Sequence, residues 1–164
     1  MQFIGINNNK EFANMITIEE SDPRSADSQR LIEYLSAELS HITGSSGESN
    51  FKLDDVMVPG ARWVIARDAS QTPVGCGAFR PVSATTAELK RMFSSRTQPG
   101  IGTAILTWLE QAARELGYQE LCLETRVVNT RAVDFYLNQG YQKIPNYGVY
   151  VGRDDAVCFA KRIG

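Results

Sequence analysis

The chain has 164 residues, of which 43% are hydrophobic and 22% charged, with a formal net charge of −2. These values suit one globular domain over residues 1–164, long enough to bury a core. They give no basic excess to recruit nucleic acid, and no apolar run nears the roughly 20 residues that cross a bilayer.

The first ten residues, Met1 to Lys10, include three asparagines where a signal peptide needs an apolar segment. Cys76, Cys122 and Cys158 are odd in number and widely spaced, which suits buried thiols better than a disulfide framework or a metal site. A cytoplasmic location without a metal is the expectation. Phe12 to Ile18 is predicted as a first strand. Ser21-Asp22-Pro23 then turns into a helix with Leu31, Ile32, Leu35 and Leu39 at helical spacing. Thr43 to Asn50 is a turn-rich loop, and a short helix follows around Phe51 to Val58. Arg62 to Arg67 and Val74 to Arg80 read as two strands joined by the turn Asp68 to Pro73.

The second half is more regular. A strand, Thr86 to Phe93, leads into a helix, Ile101 to Leu116, with a buried stripe of Ile101, Ile105, Trp108 with Leu109, Ala112 and Leu116. Gly117 can end that helix in a left-handed conformation. Gln119 to Thr125 alternates, with Leu121 and Leu123 on one face and Cys122 and Glu124 on the other. Asn129 or Thr130 can cap a helix that ends at Gly140, and Tyr141 to Ile144 and Ala156 to Lys161 supply the last strands. This order predicts a mixed α/β sheet, not a regularly alternating doubly wound fold.

Between the strand and the helix stands Gln98-Pro99-Gly100-Ile101-Gly102-Thr103. Glycines at such a turn expose backbone N–H groups, and the helix start adds unpaired N–H groups and a positive dipole end. That is a place for a phosphate or diphosphate. Pro99 has no N–H, so the donors come mainly from Gln98 and from Gly100 onward.

Four pieces in series give the chain a wider likeness: Glu88-Leu89-Lys90-Arg91-Met92-Phe93, the Gly100-x-Gly102 turn with its helix, the strand ending Leu123-Glu124-Thr125, and Asn129-x-x-Ala132-x-x-x-Tyr136-x-x-x-Gly140-Tyr141. In this order and spacing the chain resembles the GNAT superfamily of acetyl-CoA-dependent N-acetyltransferases. The resemblance implies a mostly antiparallel sheet, flanked by helices, whose two central parallel strands splay apart around acetyl-CoA. It places the pantetheine arm along Met92, Phe93 and Ser94, and the diphosphate on Gln98, Gly100, Ile101, Gly102 and Thr103. One position departs from the pattern: Thr97 stands where Gln or Arg is usual, and Arg96 or Gln98 can compensate.

Direct transfer to an amine needs a base for the ammonium, a donor for the developing oxyanion and an acid for the departing thiolate. Within the resemblance, Tyr136 is the acid at the sulfur of CoA and a cofactor contact. Glu88 is the leading base, on one strand face with Lys90 and Met92, and Glu124 competes for that role or touches the substrate. Asn129 caps its helix and can also touch the cofactor. His41, the only histidine, reads as a surface residue, and Cys122 as an inert thiol. Tyr141, Tyr147 and Tyr150 can line an acceptor pocket or pack in the core.

The expected acceptor is a primary amine of a small molecule or peptide, in a ternary complex with acetyl-CoA. Dimers are common among such proteins, which leaves a homodimer open. A non-catalytic acyl-CoA-binding module is the alternative. A Rossmann-type domain is disfavoured, because Ile105 stands where a third glycine belongs.

Overall fold

The computed structural model describes residues 14–48 and 51–164. Phe12 and the N-terminal end of the expected first strand lie outside them; within them the strand, β1, runs later, over Thr17–Glu20. It is fixed there by antiparallel pairing of Thr17 with Arg67 and Glu20 with Val64. Long-range pairing, not local propensity, sets its position. The other elements are α1 (Ala26–Thr43), β2 (Arg62–Arg67), β3 (Pro73–Pro81), β4 (Thr86–Ser94), α2 (Ile101–Glu115), β5 (Glu120–Arg126), α3 (Thr130–Asn138), β6 (Gln142–Ile144) and β7 (Ala156–Arg162). A 3-10 turn at Leu53–Val56 replaces the short helix expected from Phe51 to Val58.

The strands form one sheet in the order β1-β2-β3-β4-β5-β7-β6. Every neighbouring pair is antiparallel except β4 and β5. This is the mixed, mostly antiparallel sheet flanked by helices that the element order implied. On one face α2 and α3 cover a core that includes Val64, Phe79, Leu89, Ile105, Leu109, Leu121 and Tyr136. On the other face α1 packs Leu31 over Trp63, Ile65, Cys76 and Ala78.

The helix ends follow from their flanking residues. Ser25 caps α1 by accepting from the Ser28 N–H at 3.2 Å. The Ser28 hydroxyl accepts from Trp63 Nε1 at 2.9 Å, which ties the start of α1 to the sheet. Trp108 is only partly buried and Leu116 is 40% exposed, so the α2 stripe turns toward Leu106 and Ala113 rather than those two.

The β4–β5 pairing is short. Only Thr86–Glu120, Ala87–Leu121 and Glu88–Cys122 are in register, after which the strands part. β4 stays on β3 as far as Ser94, while β5 stays on β7 as far as Arg126. A bulge bends β4 where the splay begins: Lys90 pairs with Ala78 and Phe93 with Cys76, so Arg91 and Met92 share the space opposite Gly77. Arg91 has φ 52°, a left-handed conformation that strains a non-glycine residue. The bulge also breaks the expected alternation. Met92 packs on the α2 face, whereas Arg91 turns to the α1 face against Phe51, so Glu88, Lys90 and Met92 do not share a face.

Close approach of β3 to β4 and α2 depends on Gly75. A Cβ there would lie 2.6 Å from the Phe93 carbonyl oxygen and 2.9 Å from both Ile101 and Ile105. Gly75→Ala is expected to cost about 1–3 kcal/mol by overpacking. At about 2–4 °C per kcal/mol, thermal denaturation would read a fall in Tm of roughly 2–12 °C.

Candidate active site

The splay opens a cleft of about 1050 Å³, walled by residues 89–94 of β4 and 123–126 of β5. On its β5-facing side, β4 has no strand partner from Leu89 onward. This is a row of backbone N–H and C=O groups inside the protein, suited to an extended ligand that pairs as an added strand. Met92, Phe93 and Ser94 line it, as the resemblance implied.

The start of α2 forms one end of the cleft. Gly100 occupies its N-cap position with φ 88°, and no side chain caps the helix. The first intrahelical bond of the turn runs from Ala104 N–H to the Gly100 carbonyl at 2.9 Å, leaving the N–H groups of Ile101, Gly102 and Thr103 directed out of the helix. Gln98, Gly100, Ile101, Gly102 and Thr103 all line the cleft. The two side chains considered as substitutes at Thr97 are engaged elsewhere. Arg96 pairs with Glu38 at 2.7 Å, and the Gln98 amide donates to the Asn14 carbonyl at 2.9 Å. Thr97 itself meets the Ser95 hydroxyl at 2.9 Å. Backbone N–H groups and the helix dipole are therefore what this turn offers to an anion.

Tyr136 and Asn129 line the cleft from α3. Asn129 caps α3 by accepting from the Ala132 N–H at 3.3 Å. The Tyr136 ring is held edge-on between Phe135 and Tyr141, with centroids 5.1 and 5.6 Å away. Burial alone pushes its phenol well above its ordinary value, with no charge or hydrogen bond contributing. Burial thus favours the neutral hydroxyl.

The two carboxylates have very different surroundings. Glu88 is fully buried beneath the cleft and is not part of its wall. It pairs with Arg80 Nε at 2.8 Å and Lys90 Nζ at 3.4 Å, and accepts from the Tyr147 hydroxyl. Glu124 lines the cleft, and its Oε1 is buried with no hydrogen-bond partner among the described residues. Its nearest cation, Arg126 Nε, stands 3.9 Å off, while Arg126 Nη1 pairs with Asp155 at 2.5 Å. Desolvation raises the Glu124 pKa, only partly opposed by Arg126 and Lys90.

The other candidates separate cleanly. Tyr150 lines the cleft and accepts from Lys90 Nζ at 3.0 Å, whereas Tyr141 lies in the core and donates to Glu110 at 2.9 Å. Tyr147 belongs to the Glu88 network. His41 is exposed yet lies on the cleft rim, at the end of α1. The three cysteines are free and buried, and burial pushes the Cys122 thiol up to about 11, which leaves little thiolate.

One residue had no assigned role in the sequence. Arg91 lines the cleft with only 8% exposure, and its Nε and Nη2 have no hydrogen-bond partner among the described residues. Each buried N–H left unpaired costs about 1–3 kcal/mol. The available signal was its place next to Lys90, but strict alternation directed it to the opposite face.

Similarities to known proteins agree with this geometry. Residues 28–141 match the model of the Acetyltransferase (GNAT) family. An IAA acetyltransferase of Azospirillum brasilense is 31% identical over 150 residues, covering 90% of this chain and 97% of that protein. Two solved structures share the fold. One, from Klebsiella pneumoniae and described as an acyl-CoA N-acyltransferase, has a TM-score of 0.77 at 24% identity, covering 92% of this chain and 99% of the other. The second, PaiA N-acetyltransferase from Thermoplasma acidophilum in complex with coenzyme A, has a TM-score of 0.68 at 16% identity, covering 90% and 99%.

Glu124 carries a stability prediction. Its folded-state pKa is raised, so the charged form is disfavoured in the native state: stability is greatest below the unfolded pKa and is lost as pH rises through the folded value. Glu124→Gln should therefore raise Tm by a few degrees at pH 8 and by much less at pH 4. Thermal melts across that range check it; a larger gain at the acid end would contradict the assignment. Taken together, the family-model match over residues 28–141, the splayed sheet and the uncapped glycine turn establish that the chain belongs to the GNAT acetyltransferase family.

Proposed function

We propose that this chain is an N-acetyltransferase that moves an acetyl group from acetyl-CoA directly to a primary amine of a small molecule or peptide, within a ternary complex. The observation that carries this reading is one cleft with three features: the uncapped N-terminus of α2, the buried Tyr136 phenol and the Glu124 oxygen without a hydrogen bond. An anion-binding end, an acid and a base are what direct transfer to an amine requires.

The residues fit acetyl-CoA. The N–H groups of Ile101, Gly102 and Thr103 would hold its diphosphate, and the open edge of β4 at Met92 to Ser94 would pair with its amide arm. Bound acetyl-CoA supplies an activated acetyl thioester. Glu124 removes a proton from the acceptor ammonium, since only the neutral amine has a lone pair to attack with. Its raised pKa suits it to that work better than an ordinary carboxylate. Tyr136 holds the proton that the departing sulfur takes up. Glu88, the residue favoured from sequence, instead orients Lys90 and Tyr147 from below. Its three partners leave it poorly placed to accept a further proton.

Acetyl-CoA at 100 times its Kd should add about 2.7 kcal/mol of stability, raising Tm by roughly 5–11 °C. Tyr136→Phe and Glu124→Gln should each lower kcat about 100- to 10,000-fold, with the cofactor-induced Tm shift nearly unchanged. The activity of Glu124→Gln should also lose the acid limb of its pH profile, because the titrating base is gone. A screen of amine acceptors monitored by CoA thiol release tests the whole reading. Cofactor stabilisation without turnover of any amine would favour a binding module instead.

A further inference from the structure

The two unpartnered atoms of Arg91 are not an arbitrary pair. Nε–H and the neighbouring Nη2–H form one edge of the guanidinium, the edge that binds a carboxylate through two parallel hydrogen bonds. The same edge does so elsewhere in this chain, where Arg24 Nε and Nη2 meet the two oxygens of Asp22 at 3.0 and 2.7 Å. In Arg91 the remaining nitrogen, Nη1, is anchored on the Ser46 carbonyl at 3.1 Å. The guanidinium also lies over the Phe51 ring, 4.8 Å from its centroid. These contacts set its plane and leave the fork as an edge without a hydrogen bond.

Three further observations point the same way. Arg91 makes no ion pair among the described residues, and Glu48 acts on it only at longer range. Its backbone is held at φ 52° by the β4 bulge, a strained conformation that brings this side chain to the α1 face of the splay. Leu35, Leu39 and Phe51 line the same cleft, as do Glu38 and Glu124.

We propose that Arg91 binds the carboxylate of the acceptor, so that the substrate class is amino acids with apolar side chains rather than uncharged amines or polyamines. This rests on the acetyl-transfer reading above. The carboxylate is held by the fork, and the rest of the acceptor extends along the cleft that Leu35, Leu39 and Glu124 also line. Both fork atoms are closed to solvent, so the acceptor must part the cleft wall to reach them. Once paired, the charges interact in a site from which water is already excluded.

The test uses L-leucine and L-phenylalanine against their carboxamides, with calorimetric binding in saturating CoA and turnover in acetyl-CoA. The wild-type protein should bind each amino acid at least tenfold more tightly than its amide. Arg91→Met and Arg91→Lys should both bring that ratio close to one, since lysine keeps the charge but lacks the fork. In turnover, KM for the amino acid should rise tenfold or more in both variants, with far less change in kcat. Equal wild-type affinity for acid and amide would overturn the proposal without any variant, as would a preference that survives in either variant. A carboxylate preference in binding with no acetylation would sustain the role of Arg91 and remove the acetyl-transfer reading. Turnover of acids and amides alike would do the reverse.

Discussion

The active region depends on a parallel strand pair that is only three residues long. Had β4 and β5 stayed in register beyond Glu88 and Cys122, their backbone groups would have satisfied one another and closed the sheet. Instead each strand is held firmly by its outer neighbour, β3 on one side and β7 on the other, while the inner edges diverge. An unsatisfied sheet edge inside a protein is costly unless a ligand or solvent meets it. Here it becomes the wall of a cleft whose end is the bare N-terminus of α2. The bulge at Arg91 and Met92 bends β4 at this point, and Gly75 lets β3 and α2 pack closely enough to support the bend.

The divergence also sorts the charges. Glu88 lies at the last paired position, where the sheet is still closed, and is saturated by Arg80, Lys90 and Tyr147. Glu124 lies two residues past the last paired position of its strand, within the splay, where an oxygen remains without a donor and desolvation raises its pKa. Two carboxylates on neighbouring strands thus acquire different chemistry from a difference in local sheet geometry. Arg91 follows the same logic, since a left-handed backbone carries its guanidinium onto the α1 face of the cleft.

Much of this was legible in the residue pattern. Hydrophobic periodicity located α1, α2, β2 and β3 to within a few residues, and the glycine turn and Tyr136 both lie on the cleft. The losses have identifiable causes. β1 begins later than its own composition suggested, because pairing with β2 selects Thr17–Glu20. The faces of β4 were misassigned at Met92 because alternation assumes an unbroken ladder, and one extra residue inverts it. The pairing of Glu88 with Arg80, Lys90 and Tyr147 was not legible, because sequence shows which acids lie on a strand but not which groups surround them.

The sequence by itself determined the family, the element order and the glycine turn, because each is written in local spacing: apolar periods, glycines at a strand-to-helix junction, and a tyrosine four residues after a small one. Only the tertiary structure decided which carboxylate faces the cleft and which lies buried beneath it. Only it decided that Arg91 keeps two donors free, and that the side chains near Thr97 are bound elsewhere. These features arise from burial and from partners distant along the chain. Desolvation and hydrogen-bond satisfaction are properties of the packed neighbourhood, and no stretch of residues carries them alone.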